Sequence, residues 1–238
     1  MLRKIVKSIP NTITLLNLLS GTIAIYFAFN ASQTIAGLQG WLWATIMIGA
    51  AALFDFCDGF AARLLNAKSL IGKELDSLCD LVSFGVAPAM LLMNVLAEAG
   101  AGVWAFSAML IPLMGALRLA IFNVDDEQTV TFKGLPIPAN AIFWIGAVAA
   151  IYQFGIQPTI AVSVATVAAI SLLMVSKVKM FSLKMANLNP LQNIKQYLLI
   201  IGAILFVIFW GLSGLAATIL LYILLSLIEI KITVERKD

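Results

Sequence analysis

Asp55-Phe56-Cys57-Asp58-Gly59-Phe60-Ala61-Ala62-Arg63 is followed, after eight residues, by Gly72-Lys73-Glu74-Leu75-Asp76-Ser77-Leu78-Cys79-Asp80. Four aspartates stand in this stretch, and its flanks are almost purely apolar. Carboxylates beside hydrocarbon are costly and mark functional sites. Asp55 and Asp58 are spaced i, i+3, and Asp76 and Asp80 i, i+4, so each pair shares a helical face. Hard oxygen donors gathered in this way suit a divalent cation.

Working outward, the chain of 238 residues is 62% hydrophobic and 11% charged, against roughly 25% charged in a soluble domain. The expected fold is an all-α integral membrane protein without a cleavable leader. Residues 1–9 place Leu2, Ile5, Val6 and Ile9 on one face and Arg3, Lys4, Lys7 and Ser8 on the other. They read as a short interfacial amphipathic helix ended by Pro10. Apolar runs follow at 12–29, 41–65, 74–97, 102–122, 137–155, 158–175, 196–211 and 214–230, which predicts about eight transmembrane helices in a single membrane domain, 1–238. All fifteen Lys and Arg then fall on or near one side, and the loops near 30–40, 97–101, 155–158 and 211–214 carry none. The positive-inside rule makes that side cytosolic, with both termini and the aspartates facing the cytosol of a multi-pass cell membrane protein.

The second and third spans are expected to be antiparallel about a turn at 66–71. With Ser69 as midpoint, Asp58 stands opposite Asp80, and Asp55 lies one turn deeper. Gly72, Asp76 and Asp80 form one stripe, and the small residues Gly59 and Ala62 let a backbone or ligand approach. Four clustered anions need protons or cations. Two Mg²⁺ or Mn²⁺ ions would neutralise them and suit phosphoryl transfer, with Arg63 and Lys68 as phosphate contacts. Solvated helix ends and an ion pathway are the competing readings. Transport sites sit near the midplane, whereas these acids gather at one end of the span, which favours a membrane-surface enzyme over a divalent-cation transporter. Cys57 and Cys79 read as packing thiols. The chain has no histidine, so a base is a carboxylate, a lysine or water, and zinc is not expected.

The string from Asp55 to Asp80 reads D-x2-D-G-x2-A-R-x8-G-x3-D-x3-D. It resembles the signature of the CDP-alcohol phosphatidyltransferases. Further segments resemble one branch, the bacterial CDP-diacylglycerol–serine O-phosphatidyltransferases: Ile9-Pro10-Asn11 with Thr14 and Asn17, Val82-Ser83-Phe84-Gly85-Val86-Ala87-Pro88, Leu117-Arg118-Leu119-Ala120, and Gly134-Leu135-Pro136-Ile137-Pro138-Ala139. The resemblance covers about residues 5–195. It implies a catalytic core at 11–195 behind the interfacial helix at 1–10, with two additional helices at 196–231. The implied reaction moves a phosphatidyl group from CDP-diacylglycerol to L-serine and releases CMP. Asp55, Asp58, Asp76 and Asp80 would hold metal, and Asp80 would also take the proton of the serine hydroxyl. Gly59, Ala62 and Arg63 would face the nucleotide and its diphosphate, and Gly72 would let the third helix start close by. A homodimer in the bilayer is also implied, with no nucleic acid as partner. Where the branch commonly has a second basic residue after Arg118, this chain has Ile121, leaving Arg118 to serve alone or with Lys133.

Other positions keep two readings. Arg118 faces the site or reaches toward the surface. Asn11, Thr14 and Asn17 contact cytidine or phosphate, or else Asn11 or Thr12 caps a helix. The 83–88 segment packs through Gly85 and Ala87 with a kink at Pro88, or opens a polar gap. Trp41, Trp43, Trp104 and Trp144 are belt or core residues. Glycerol 3-phosphate or an inositol phosphate is the alternative acceptor, although a phosphorylated acceptor would call for an additional basic cluster. Lys177, Lys179 and Lys184 read instead as topology and anionic-lipid contacts. No Ser, Cys or His stands as a nucleophile beside a base, so direct attack is expected.

Overall fold

A bilayer leaves no water to satisfy backbone groups, so apolar runs of this length become helices. The structure, a computed structural model, describes residues 2–67, 69–124, 132–183 and 193–235. Its helices are α1 (Leu2–Phe29), α2 (Gly40–Leu64), α3 (Leu70–Asp80), α4 (Ala87–Glu98), α5 (Leu110–Val124), α6 (Ile137–Phe154), α7 (Ile160–Met174), α8 (Ile194–Trp210) and α9 (Gly214–Glu235). A π-helical turn (Leu81–Val86) joins α3 to α4, and 3₁₀ segments at Gly102–Met109 and Gly211–Ser213 precede α5 and α9. The only strands among the described residues form two short antiparallel ladders, β1 (Thr34–Ile35) with β2 (Leu38–Gln39) and β3 (Phe132–Lys133) with β4 (Lys179–Met180). The protein is an all-α membrane protein. It divides into two compact units, Met1–Leu119 and Ala120–Asp238.

Each predicted apolar run is a helix, and six helical stretches among the described residues are long and apolar enough to cross a membrane. Two details separate this from eight full crossings. The helix α7 has 15 residues, about 22 Å at 1.5 Å per residue, against a hydrocarbon thickness of about 30 Å. The other is 194–228, a single apolar stretch that folds back on itself. Gly211 has φ +60°, Gly202 faces Leu221, and Gly214 packs on the Phe206 backbone, so α8 and α9 run antiparallel.

Pro10 does not end the first helix, as the sequence reading expected; α1 runs through it from Leu2 to Phe29. Proline removes one backbone donor, here toward residue 6, in a helix of 28 residues whose other bonds carry on past it. Asn11 and Thr12 are therefore inside the helix and cap nothing. The Thr12 hydroxyl instead donates to the Ser8 carbonyl at 3.0 Å. The expected amphipathic face over residues 1–7 lies outside the described side chains.

In the first unit α1 packs along α2 and against α3, the π-helical turn and α4. The β1–β2 hairpin turns through Ala36 and Gly37, both at positive φ, and Trp43 seals it by donating to the Ile35 carbonyl at 2.8 Å while stacking on Phe27. At the other end, α2 stops in a Schellman motif. The Ala67 N–H bonds the Ala62 carbonyl, the Asn66 N–H bonds the Arg63 carbonyl, and Asn66 takes φ +47°. Ser69 then caps α3, its hydroxyl accepting from the Gly72 N–H at 3.0 Å. The reversal is therefore complete within residues 65–69.

Beyond α3 the backbone widens into the π-helical turn, where the Ala87 N–H reaches the Val82 carbonyl five residues back. Pro88 has no N–H to offer Phe84, and the widened turn absorbs that loss. Ser83, Phe84 and Gly85 are buried there. Ser83 donates to the Asn17 carbonyl on α1 at 3.0 Å, and Gly21 makes room for it, since a Cβ at Gly21 would run into Ser83. In the second unit, α6 packs on α9 with Gly146 against Ala216. Tyr222 donates to the Phe181 carbonyl at 3.1 Å, and the Ser213 N–H donates to Gln153 Oε1 at 3.3 Å. Trp41 and Trp144 are core residues, while Trp104 is exposed.

Gly21→Val forces α1 away from the π-helical turn. It is expected to destabilise the protein by about 1–3 kcal/mol, read as a lowered unfolding midpoint in detergent. An unchanged midpoint would show that this close approach is not needed.

Candidate active site

The compact reversal at 65–69 sets which aspartates meet. The expected midpoint at Ser69 would oppose Asp58 to Asp80. In the structure the carboxylate oxygens that lie within 4.8 Å of one another are those of Asp55, Asp76 and Asp80. Asp58 is on the rim of this group and lines, with Asp76, a cavity of about 510 Å³. Asp58 and Asp80 are buried, and Asp55 and Asp76 half-buried.

The cavity opens between α1, α2 and the start of α3. Its walls include Asn11 and Thr14 from α1, Gly59 and Ala62 from α2, and Gly72 and Lys73 from α3. These elements all belong to the first unit. Gly72 is where α3 meets α1, because a Cβ there would stand 3.1 Å from Asn11 Oδ1 and 3.0 Å from Ser69 Oγ. Gly59 differs, since a Cβ there would meet nothing within 4 Å. Its lack of a side chain serves the empty space of the cavity and not the packing of helices. Thr14 is buried and donates to the Pro10 carbonyl at 3.0 Å.

Other expected site residues stand apart from the cavity walls. Asn17 is fully buried and donates from Nδ2 to Asp80 Oδ1 at 3.1 Å. Arg63 is exposed in the last turn of α2. Arg118 is only 8% exposed, inside the first unit, so it does not reach out to the surface. Lys133 belongs to the second unit, half-buried, opposite Lys179 in the β3–β4 ladder. Lys68 and Lys184 lie outside the described residues. Cys57 and Cys79 are free thiols. Lys73 is a cavity residue that sequence reasoning passed over. Its signal was available, since it sits i−3 to Asp76 on the same face.

Whether this donor set fits a cation can be judged from its unmet bonding. Asp58 Oδ2 and Asp76 Oδ1 are buried with no hydrogen-bond partner among the described residues. Buried carboxylate oxygens without partners are strongly disfavoured. With the clustered carboxylate oxygens of Asp55, Asp76 and Asp80, all hard donors, they make a set that fits Mg²⁺ or a similar divalent ion.

The CDP-alcohol phosphatidyltransferase family model matches residues 7–228. The chain belongs to this family. The match runs through α8 and into α9, further than the motifs alone reach. Among curated relatives, the CDP-diacylglycerol–serine O-phosphatidyltransferase of Bacillus subtilis is 37% identical over 171 residues, covering 72% of this chain and 88% of the relative. The protein of that name from Methanocaldococcus jannaschii is 36% identical over 178 residues, 75% of each chain. The one from Helicobacter pylori is 27% identical over 224 residues, 92% of this chain and 90% of the relative. The protein is thus a phosphatidyl-transferring enzyme whose conspicuous acidic cluster can hold divalent metal.

Because Gly59 faces open space, Gly59→Val is expected to leave the unfolding midpoint within about 1 kcal/mol of wild type. The same change should raise the KM for the CDP-linked lipid by about tenfold or more. A variant with normal KM would show that ligand does not occupy the cavity beside Gly59.

Proposed function

We propose that the protein transfers the phosphatidyl group of CDP-diacylglycerol to L-serine, yielding phosphatidylserine and CMP. The observation that carries the reading is the cavity at the α2–α3 turn. It joins the carboxylate cluster to small-residue walls on the helices that bear the family signature. Serine as acceptor is supported by the activity for which relatives at 36–37% identity are named.

The lipid keeps its acyl chains in the bilayer and puts its cytidine diphosphate into the cavity. Asn11, Thr14, Gly59, Ala62 and Gly72 shape the nucleotide pocket. Arg63 and Lys73 stand close enough in sequence to the signature to supply positive charge toward the diphosphate. Asp55, Asp58, Asp76 and Asp80 would hold Mg²⁺ or Mn²⁺, which neutralises the diphosphate and the departing CMP when bound. Two ions would suit phosphoryl transfer. Asp76 belongs both to the group with Asp55 and Asp80 and to the cavity wall with Asp58, so it would be a ligand in either place.

Serine enters from the cytosol. Its hydroxyl proton passes to Asp80 as its oxygen attacks the lipid-side phosphorus. The bond from that phosphorus to the bridging oxygen breaks, and the electron pair leaves with CMP. Arg118, a buried cation on α5, is suited to the serine carboxylate or the lipid phosphate. We place the cavity and both termini on the cytosolic side of the cell membrane because the basic residues gather there. We also take the chain as one functional membrane domain that works as a homodimer, by its family resemblance.

Asp80→Asn is expected to lower kcat by about 10³-fold or more while sparing the fold and nucleotide binding. Full turnover in that variant would remove the base assignment. The acceptor is tested by CMP release from purified protein with CDP-diacylglycerol, Mg²⁺ or Mn²⁺, and serine, glycerol 3-phosphate or inositol phosphate in turn. Metal-dependent release with serine alone is expected. Release with another acceptor would overturn serine and keep the chemistry.

A further inference from the structure

Asn17 sits in the first membrane span among Leu15, Leu16, Leu18 and Leu19. It is fully buried. An amide in such a place is unfavourable unless its polar atoms are used. One is used well, since Nδ2 donates to Asp80 Oδ1 at 3.1 Å. The other is not, because Oδ1 has no hydrogen-bond partner among the described residues. A leucine at this position would continue the apolar helix and remove the orphaned acceptor. What asparagine supplies that leucine cannot is an N–H aimed at Asp80.

The placement of that N–H is itself secured. The Asn17 backbone carbonyl accepts from Ser83 Oγ at 3.0 Å, and Ser83 is fully buried. Ser83 lies in the π-helical turn that starts directly after Asp80. Gly21, one turn beyond Asn17, is what lets Ser83 come so close. Residue 17 is thus tied to residues 80 and 83 of the opposing helix, once by its side chain and once by its backbone. The carboxylate so held shares a sphere with Asp55 and Asp76, which repel it.

We propose that Asn17 is a positioning residue for Asp80, committing one carboxylate oxygen so that the other is presented to the reaction, with Ser83 and the π-helical turn holding Asn17 in register. This rests on the reading of Asp80 as base and metal ligand. It gives Asn17 a different role from the substrate contact expected from sequence, and Asn17 does not line the cavity.

The test uses the full chain in detergent and Mn²⁺ alone, with binding followed by electron paramagnetic resonance. Wild type, Asn17→Leu, Asp80→Asn and the double variant form a cycle. Asn17→Leu is expected to weaken Mn²⁺ binding by about tenfold, and to add less than about twofold once Asp80 is asparagine. In CMP release, Asn17→Leu should lower kcat by about tenfold with the CDP-diacylglycerol KM within about threefold of wild type. Ser83→Ala changes little volume and should give the same pattern at about threefold amplitude. It decides the matter if Asn17→Leu does not give a monodisperse protein. Additive effects in the cycle, Mn²⁺ binding by Asn17→Leu or Ser83→Ala equal to wild type, or a raised KM at unchanged kcat would each overturn the proposal. Mn²⁺ binding needs no acceptor. A wild type inactive with serine would therefore sink the acceptor reading and leave the cycle to judge Asn17 by itself.

Discussion

Three carboxylate oxygens within 4.8 Å of one another govern this molecule. At an effective dielectric constant of about 20, each ionised pair at that distance repels by about 3 kcal/mol. Three pairs sum to about 10 kcal/mol, comparable with the whole unfolding free energy of a typical domain. The helices cannot hold the group ionised without neutralising charge. Charge from outside can reach the group, because the cavity lined by Asp58, Asp76 and Lys73 adjoins it at the α2–α3 end. Protons or cations must therefore accompany the folded site, and a divalent cation would also suit its chemistry.

The remaining architecture serves to keep those oxygens together. The Schellman turn through Asn66 and the Ser69 cap make the reversal short, and Asp55 meets Asp76 and Asp80 across it. The π-helical turn after Asp80 accommodates Pro88 and at the same time docks Ser83 on α1. Small residues do two distinct jobs. Gly21 and Gly72 let helices touch, whereas Gly59 leaves space for something that is not protein. The chemistry of a membrane-anchored lipid and a water-soluble acceptor calls for this placement, with acids at the end of a span and not at its middle.

Much of this was legible in the sequence. The apolar runs gave the helices almost to the residue, because burial in a bilayer overrides local propensity. The D-x2-D-G-x2-A-R-x8-G-x3-D-x3-D string gave the family because its residue types and spacing are so constrained. Three things were not legible. Pro10 read as a terminator, yet one missing donor does not stop a long helix. Which three aspartates cluster did not follow from a midpoint estimate, because the registry of a helix pair depends on how the intervening turn closes, here through Asn66 at positive φ. The π-helical turn gave no periodic signal at all, since the residues 81–86 read equally well as α-helix. Asn17 was singled out from sequence, but its partner Asp80 lies 63 residues away, a contact that only the fold reveals.

In the proposed function the carboxylate cluster would be a cation site, with Asp76 as a ligand in two places. The most direct measurement is electron paramagnetic resonance of purified protein titrated with Mn²⁺ in the presence of CDP-diacylglycerol. A pair of exchange-coupled ions in the wild type, lost in Asp76→Asn, is the predicted result. Mn²⁺ that stays free in solution, or binds equally well to Asp76→Asn, would contradict it.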